Sequence, residues 1–547
     1  MNARNRIRGA LAADAALGIG NALTTVFTAG VGLDDPLITF DTDVDGHQAW
    51  QPMTLRVLHE RVAARAAWLS GAGVAPRELI GIYAGSGPDT ILNILALLRI
   101  GAIPAPVNSN VEGPVAADYF VKAQPAAILA DTDRRTRLGA DLRRLPRLLD
   151  AAATGTGDPA TAPPQFVYDP ADAAVVTHSS GTTGAPKAVL ASHASLFASV
   201  RHRLRLPRAE GMDRILSALP VNHAAIIILL NLALCNGQEL MVLSSQSGNA
   251  VLEAIARWRP SAVLGFAPTW PELTSADLTA HDLGSVQIWW NTGDCAHETH
   301  IRKLVAVGHR RTVGRDGIRT VTGSSFIDGF GSTEMGHSQF FITHTANTDR
   351  YRRCIGRRHA FADVAVLDEM GEPLPAGIVG QLGVKSPTLS IGYWNDHPRT
   401  ARTRLRGYFL TGDLVYRDED GYFYHVDRAS DAVDLGGEWL YTALCEERLL
   451  TACPDAHDCT IVGLRRPDGG VSTTVFLELT ATADRTADRT PQVLAALPPH
   501  VAATVTDVVV DHGEDIPHGP TGKVRKAQLR SAARLPQNAP AEGLVFR

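Results

Sequence analysis

The stretch Val175-Val176-Thr177-His178-Ser179-Ser180-Gly181-Thr182-Thr183-Gly184-Ala185-Pro186-Lys187 constrains this chain more than any other. Two β-branched valines lead into small and hydroxylated residues, and one lysine closes the run. Gly181 and Gly184 allow a tight turn whose N–H groups can come close to a bound anion. The hydroxyls of Ser179, Ser180, Thr182 and Thr183 add donors, and Lys187 adds a full positive charge. A plain Gly/Ser turn explains the glycines but not the hydroxyls, proline and lysine in this order. The composition is that of a loop holding a polyphosphate. It is not a Walker A loop, because Gly181 is followed by Thr-Thr-Gly-Ala-Pro-Lys-Ala and the closing Gly-Lys pair is missing.

A chain of 547 residues exceeds what one core usually supports, so two or more domains are expected. Hydrophobic content of 45% and charged content of 20% are those of a globular protein. A net charge of -5 and the lack of a dense Lys/Arg run argue against a nucleic-acid partner. The six cysteines are widely spaced with no Cys-x-x-Cys pair, which points to a reduced, cytoplasmic protein. The longest apolar run, Ala224 to Cys235, is interrupted by Asn231 and falls short of the roughly 18 residues of a membrane span. Asp14 and Asn21 break the Ala/Leu/Gly segment after Arg4, Arg6 and Arg8, which favours an amphipathic first helix over a signal peptide.

Along the first 150 residues, apolar strands alternate with helical stretches: Leu79 to Tyr83, then Asp89 to Arg99, then Ala102 to Val107. This order predicts a parallel sheet with helices packed on it. Ala151 to Pro164 reads as a loop leading into the phosphate-binding subdomain. Cys295, His297 and His300 are considered as zinc ligands, but His-Glu-Thr-His lacks the His-Glu-x-x-His spacing and no second ligand cluster accompanies it.

The order Ser-Ser-Gly-Thr-Thr-Gly-x-Pro-Lys resembles the phosphate loop of the acyl- and aryl-adenylate-forming superfamily, and further motifs follow in family order. Leu219-Pro220-Val221-Asn222-His223 is similar to a turn bordering the acyl pocket; a lone His at a strand end is the plainer reading of His223. Trp289-Trp290-Asn291-Thr292-Gly293-Asp294 is similar to the strand end where relatives lay adenine. Asp328-Gly329-Phe330-Gly331-Ser332-Thr333-Glu334 resembles x-Gly-Tyr-Gly-x-Thr-Glu. By that resemblance Phe330 stacks on adenine, Asp328 approaches its amino group, Thr333 contacts the α-phosphate and Glu334 helps bind Mg²⁺. Gly407-Tyr408-Phe409-Leu410-Thr411-Gly412-Asp413 and Arg428 resemble the ribose-binding pair. Lys523, in a segment similar to Ile-Pro-x-Thr-x-x-Gly-Lys, corresponds to the lysine that a small domain carries into the site.

The resemblance implies an α/β fold with a large N-terminal region of parallel-sheet subdomains plus a small β-subdomain. A small mobile α+β C-terminal domain follows. The expected boundaries are 1–429 for the AMP-binding domain and 430–547 for the C-terminal domain. The implied catalytic residues are Lys523, Glu334 and Thr182. The implied nucleotide-binding residues are Thr177, Ser179, Ser180, Gly181, Thr183, Gly184, Lys187, Gly293, Asp294, Asp328, Gly329, Phe330, Thr333, Asp413 and Arg428. Asn222, His223, Trp290, Gly331 and Met335 are expected around the substrate. Ser430 stands at the hinge, where relatives carry Asp or Lys. Asp434 replaces a frequent lysine, and Gly436-Gly437-Glu438 keeps the turn that lines the pantetheine tunnel of fatty-acyl and aryl ligases.

The implied chemistry is ATP- and Mg²⁺-dependent adenylation of a small-molecule carboxylic acid, then thioester formation with CoA. Alternatives are transfer to an acyl carrier protein or an amine, and activation of another oxyanion such as nitrite. A non-catalytic ATP-binding module would be expected to lack Lys523 or Glu334, and both are present.

Overall fold

The computed structural model describes residues 3–179, 186–208, 211–314, 317–480, 482–511, 516–518 and 524–532. Its α/β fold is built on a 14-stranded sheet. Strands Pro36–Phe40, Glu239–Val242, Arg214–Ser217, Ala262–Phe266, Ile288–Gly293 and Ser325–Phe330 lie side by side and parallel. Side chains alternate across this sheet and feed two cores. Ile215, Leu240 and Leu264 join one core, whereas Leu216, Met241 and Val263 join the other. Both faces are covered, which explains why the strands read as continuous apolar runs.

Beyond Ser325–Phe330 the sheet turns antiparallel through Phe340–His344, Cys354–Arg358, Phe423–Arg428, Tyr408–Arg417, Gly380–Lys385 and Asp363–Leu367. This small β-subdomain packs around Phe330, Phe340, Leu382, Val384 and Phe409. A separate four-stranded parallel sheet has the order Ile103–Pro106, Leu79–Tyr83, Ala127–Ala130, Arg147–Asp150. Its intervening helix runs from Gly87 to Arg99, because the Ser86 hydroxyl caps it by accepting from Asp89 N at 3.2 Å. Ala173–Ser179, Lys187–Ser192 and Gly392–Tyr393 form a three-stranded antiparallel sheet. The hairpin thus sets the two described ends of the phosphate loop, Ser179 and Lys187, opposite each other.

The segment expected as a loop between 151 and 164 is docked. Fully buried Thr154 accepts a hydrogen bond from Arg65 at 2.8 Å, and two short 3₁₀ turns lie within it. The first residues are also anchored, since buried Arg4 donates to Pro36 O at 2.8 Å.

After Arg428 the chain builds its own core from Val433, Leu440, Leu449, Ile461, Val475 and Leu477. Helix Thr442–Ala452 covers a sheet of Ala456–Arg465, Val471–Leu479 and Val505–Asp511. Among the described residues no helix is long and apolar enough to cross a membrane.

Candidate active site

The carboxyl ends of the parallel strands open onto one cavity of about 350 Å³. This is where an open α/β sheet leaves a crevice for a ligand. The chain after Arg214–Ser217 supplies His223, Ala262–Phe266 supplies Phe266, and Ile288–Gly293 supplies Trp290, Thr292 and Gly293. Ser325–Phe330 leads into Gly331, Ser332, Thr333 and Glu334. Gly331 is tightly fixed, because a Cβ there would stand 2.8 Å from Ser338 Cα. Gly293 turns at φ 99°, a conformation that favours glycine.

One end of the cavity is polar and charged. Lys187, Glu334, Tyr393, Thr411, Gly412 and Arg428 line it. Burial lowers the Lys187 pKa, opposed by the Glu334 carboxylate. Tyr393 donates to Glu334 Oε1 at 3.0 Å. Arg428 Nε pairs with Asp413 Oδ1 at 3.0 Å, and the Asp413 attraction raises the arginine pKa. Asp413 is 1% exposed, and burial would raise its pKa, but Arg428 and His425 outweigh burial and lower it. Asp413 Oδ2 and the buried Ser179 Oγ have no hydrogen-bond partner among the described residues. A ribose hydroxyl and a phosphate oxygen are groups of the right polarity to complete them.

Away from that end the wall is largely apolar, with Ser199, Arg203 and His337 among its polar exceptions. Helix Ala224–Asn236 is buried nearly all round, and its Ile228, Leu229 and Leu232 meet Leu264, Phe266 and Trp290 there. His223 caps this helix by accepting from Ala225 N at 3.2 Å through Nδ1. Its proton therefore sits on Nε2, which faces Thr333 Oγ1 at 3.5 Å. Adjacent tryptophans part company, as strand alternation demands. Trp290 lines the cavity, while Trp289 is fully buried and donates to Ser324 Oγ at 2.8 Å.

Of the residues expected from sequence, Ser179, Lys187, His223, Trp290, Gly293, Gly331, Thr333, Glu334 and Arg428 share this cavity. Ser180, Gly181, Thr182, Thr183, Gly184 and Lys523 lie outside the described residues. Thr177 is buried in the strand below the loop, and Asn222 stands behind the wall, donating to His178 Nε2 at 3.0 Å. Gly329 is a strand residue facing Ser338. Asp328 accepts from Asn291 Nδ2 at 2.6 Å and from Ala296 N at 3.2 Å, and burial pushes its pKa up to about 6. Asp294 accepts from Cys295 N at 2.8 Å and pairs with Arg353 at 3.6 Å.

Two further expected residues do not line the cavity. Met335 is fully buried in the β-subdomain core and is not a pocket residue. Phe330 is 3% exposed, with its ring turned toward His425 and Phe340 at 5.0 and 6.4 Å. In this arrangement the ring presents no open face to the cavity. Both side chains point into the interior where the sheet turns antiparallel, and apolar character alone did not distinguish that wall from the ligand's.

A sequence profile described as AMP-binding enzyme matches residues 33–394. The chain belongs to that family. It is 43% identical over 467 residues to a 3-aminoavenalumate diazotase of a Streptomyces species, covering 84% of this chain and 83% of that protein. It is 27% identical over 479 residues to a feruloyl-CoA synthase of an Amycolatopsis species, covering 87% and 93%. A crystal structure of an anthranilate CoA ligase with anthranoyl-AMP superposes with TM-score 0.80 at 19% identity, covering 95% of this chain and 98% of that one. The fold is that of adenylate-forming ligases, and this chain is an AMP-forming enzyme of the family.

Lining groups that sequence did not single out as site residues are His178, Ser199, Arg203 and Tyr393. The first three were hidden because strand and helix register alone decide which residues face the cavity. His178 Nε2 accepts from Asn108 N and Asn222 Nδ2, and burial holds its pKa down to about 4, so the ring is neutral. No group of three or more metal-ligating side chains occurs among the described residues. His297 pairs with Glu447, His300 with Thr274, and Cys295 with Asp328. Glu334 lines the cavity, and one carboxylate there would be compatible with a Mg²⁺ shared with phosphate oxygens.

Proposed function

We propose that this enzyme uses ATP to activate nitrite and delivers the activated nitrogen to an aromatic amine, forming a diazonium product. The observation carrying this reading is the 43% identity to a diazotase, against 27% to a CoA-forming relative over a similar length. A nitrite oxygen bonds to the α-phosphorus of ATP and pyrophosphate leaves. The amine nitrogen then bonds to the nitrogen of this mixed anhydride, and AMP leaves with the bridging oxygen. Protons shift from the amine nitrogen to the remaining oxygen, which departs as water.

The chain's own groups align and neutralise; no nucleophilic side chain is required. Lys187, the 177–184 segment including Thr182, and Lys523 hold phosphate charge, and Thr333 meets the α-phosphate. Asp413 and Arg428 fix the ribose, while Gly293, Asp294, Asp328 and Gly329 shape the base site. Mg²⁺ on Glu334 would offset charge on the phosphates. The unit from residue 430 onward pivots at Ser430 to bring Lys523 in. The free cysteines, all buried, fit a reducing cytoplasm.

A second reading, CoA-thioester formation from an acid, is favoured by the Gly436–Gly437 turn at φ 94° and 110°. Here, however, Asp434 Oδ1 accepts from both glycine N–H groups at 2.9 and 3.1 Å. That carboxylate puts negative charge on the turn, which repels the phosphates of an arriving CoA.

Pyrophosphate release, measured with nitrite plus a panel of aryl amines and with aryl acids plus CoA, separates the readings. Release that requires nitrite and an amine is the expected result. Release driven by an acid and CoA without nitrite rejects it.

A further inference from the structure

Helix His193–Arg205 places Ser199 and Arg203 one turn apart, and both line the cavity together with His337. Ser199 is 2% exposed, yet its Oγ has no hydrogen-bond partner among the described residues. The Arg203 guanidinium makes no ion pair with any described carboxylate. Burial lowers its pKa, and no neighbouring acid opposes that effect. Two other buried arginines are matched by carboxylates: Arg65 holds Asp45 and Asp89, and Arg353 faces Asp294. A half-buried cation beside an unsatisfied hydroxyl is costly unless a ligand completes it.

His337 adds direction. Its Nδ1 lies 2.7 Å from Ser338 O and donates to it, so Nε2 carries no proton in the neutral ring. Burial holds that ring neutral, with a pKa of about 4, and Arg203 lowers it further. Arg203 also depresses His359 and His202. Lys187, by contrast, interacts with Glu334, Arg399, Arg428 and Asp396. Lys187 and Arg203 thus have different charged neighbours, and the apolar Ile228, Leu232 and Trp290 line the same cavity.

We infer that Ser199 and Arg203 form a carboxylate subsite at the end of the cavity away from the nucleotide. The subsite orients an aryl amine that carries an acidic group on the side opposite its reacting nitrogen. Ser199 donates one hydrogen bond to the carboxylate, and Arg203 supplies the charge-assisted ones. This inference rests on the amine-diazotising reading and sharpens it. A carboxylate held at this end points the amine toward the phosphates. The same geometry turns a simple aryl acid the wrong way round for adenylation.

The test uses the full-length protein and two probes, cinnamate and methyl cinnamate, neither of which has an amine to react. Quenching of tryptophan fluorescence reads binding. Replacing Arg203→Gln should weaken cinnamate roughly 10- to 100-fold, the range for a lost charge-assisted bond, and leave the ester within about twofold. Arg203→Lys should restore part of the loss, and thermal melting confirms that each variant is folded. Equal losses for acid and ester, or no loss for either, would overturn the subsite. Nitrite-dependent turnover of 3-aminocinnamate is measured in parallel. If turnover fails while the charge-selective binding persists, the diazotising reading falls and the subsite stands.

Discussion

His297 Nδ1 and Glu447 Oε2 meet at 2.5 Å, tying the main body of the enzyme to the first helix of its C-terminal portion. Glu447 Oε1 also accepts from Glu298 N at 3.0 Å. Burial opposes charge on His297, but attraction and hydrogen bonding to Glu447 outweigh it and raise the histidine pKa above 6.5. Burial likewise works against ionised Glu447, and His297 outweighs it, lowering that pKa below 4.5. The histidine's contribution is complete below pH 6.5 and is lost as pH rises through its raised pKa. The glutamate's contribution is complete above pH 4.5 and is lost as pH falls through its lowered pKa. The pair is therefore strongest between pH 4.5 and 6.5. Glu447→Gln should cost roughly 1–3 kcal/mol in that window and less above it, read as the gap between wild-type and variant melting curves across pH.

At the nucleotide end, Asp413→Asn should be felt mainly in ATP binding. The substitution removes the charge that holds Arg428 at 3.0 Å and leaves a cation beside a group that can no longer neutralise it. The KM for ATP should rise roughly 10- to 100-fold with a smaller change in kcat, as expected for a contact present in both ground and transition states. An ATP titration of pyrophosphate release checks this. An unchanged KM would mean that ribose is not held here.

The parts of the enzyme that sequence made legible are those written in local patterns. The strand–helix–strand order near Leu79, the apolar helix after His223, and the charged end marked by Lys187, Glu334 and Arg428 follow from periodicity and motif. What was not legible depended on which way a side chain turns in three dimensions. Phe330 and Met335 sit inside strong motifs yet face the core. Ser199 and Arg203 sit in an ordinary polar helix yet face the cavity. Nothing in the local pattern marks Arg65 for burial, yet Asp45, Asp89 and Thr154 close around it.

That arginine supports a stability prediction away from the chemistry. Arg65 is fully buried and reaches Asp45 at 2.8 Å and Asp89 at 2.5 Å. Arg65→Met keeps the stem's packing but leaves two carboxylates without their cation. The cost should be about 3–5 kcal/mol, the range for breaking one half of a buried ion pair. Melting of the variant at neutral pH checks it.

The two lysines assigned to phosphate charge should separate kinetically. Lys187 begins the second hairpin strand opposite Ser179, so it stays in the site whatever the C-terminal portion does. Its charge acts on bound ATP before reaction as well as during it, and Lys187→Ala should raise the KM for ATP. Lys523 belongs to the portion proposed to pivot at Ser430, and on that proposal its phosphate contact would form only on closure. Lys523→Ala should leave ATP binding nearly intact and cut nitrite-dependent pyrophosphate release by about 100-fold or more, the scale of a lost transition-state charge contact. Isotope exchange between pyrophosphate and ATP isolates this half-reaction from amine transfer. If Lys523→Ala exchanges at the wild-type rate, the pivoting portion does not complete the adenylating site.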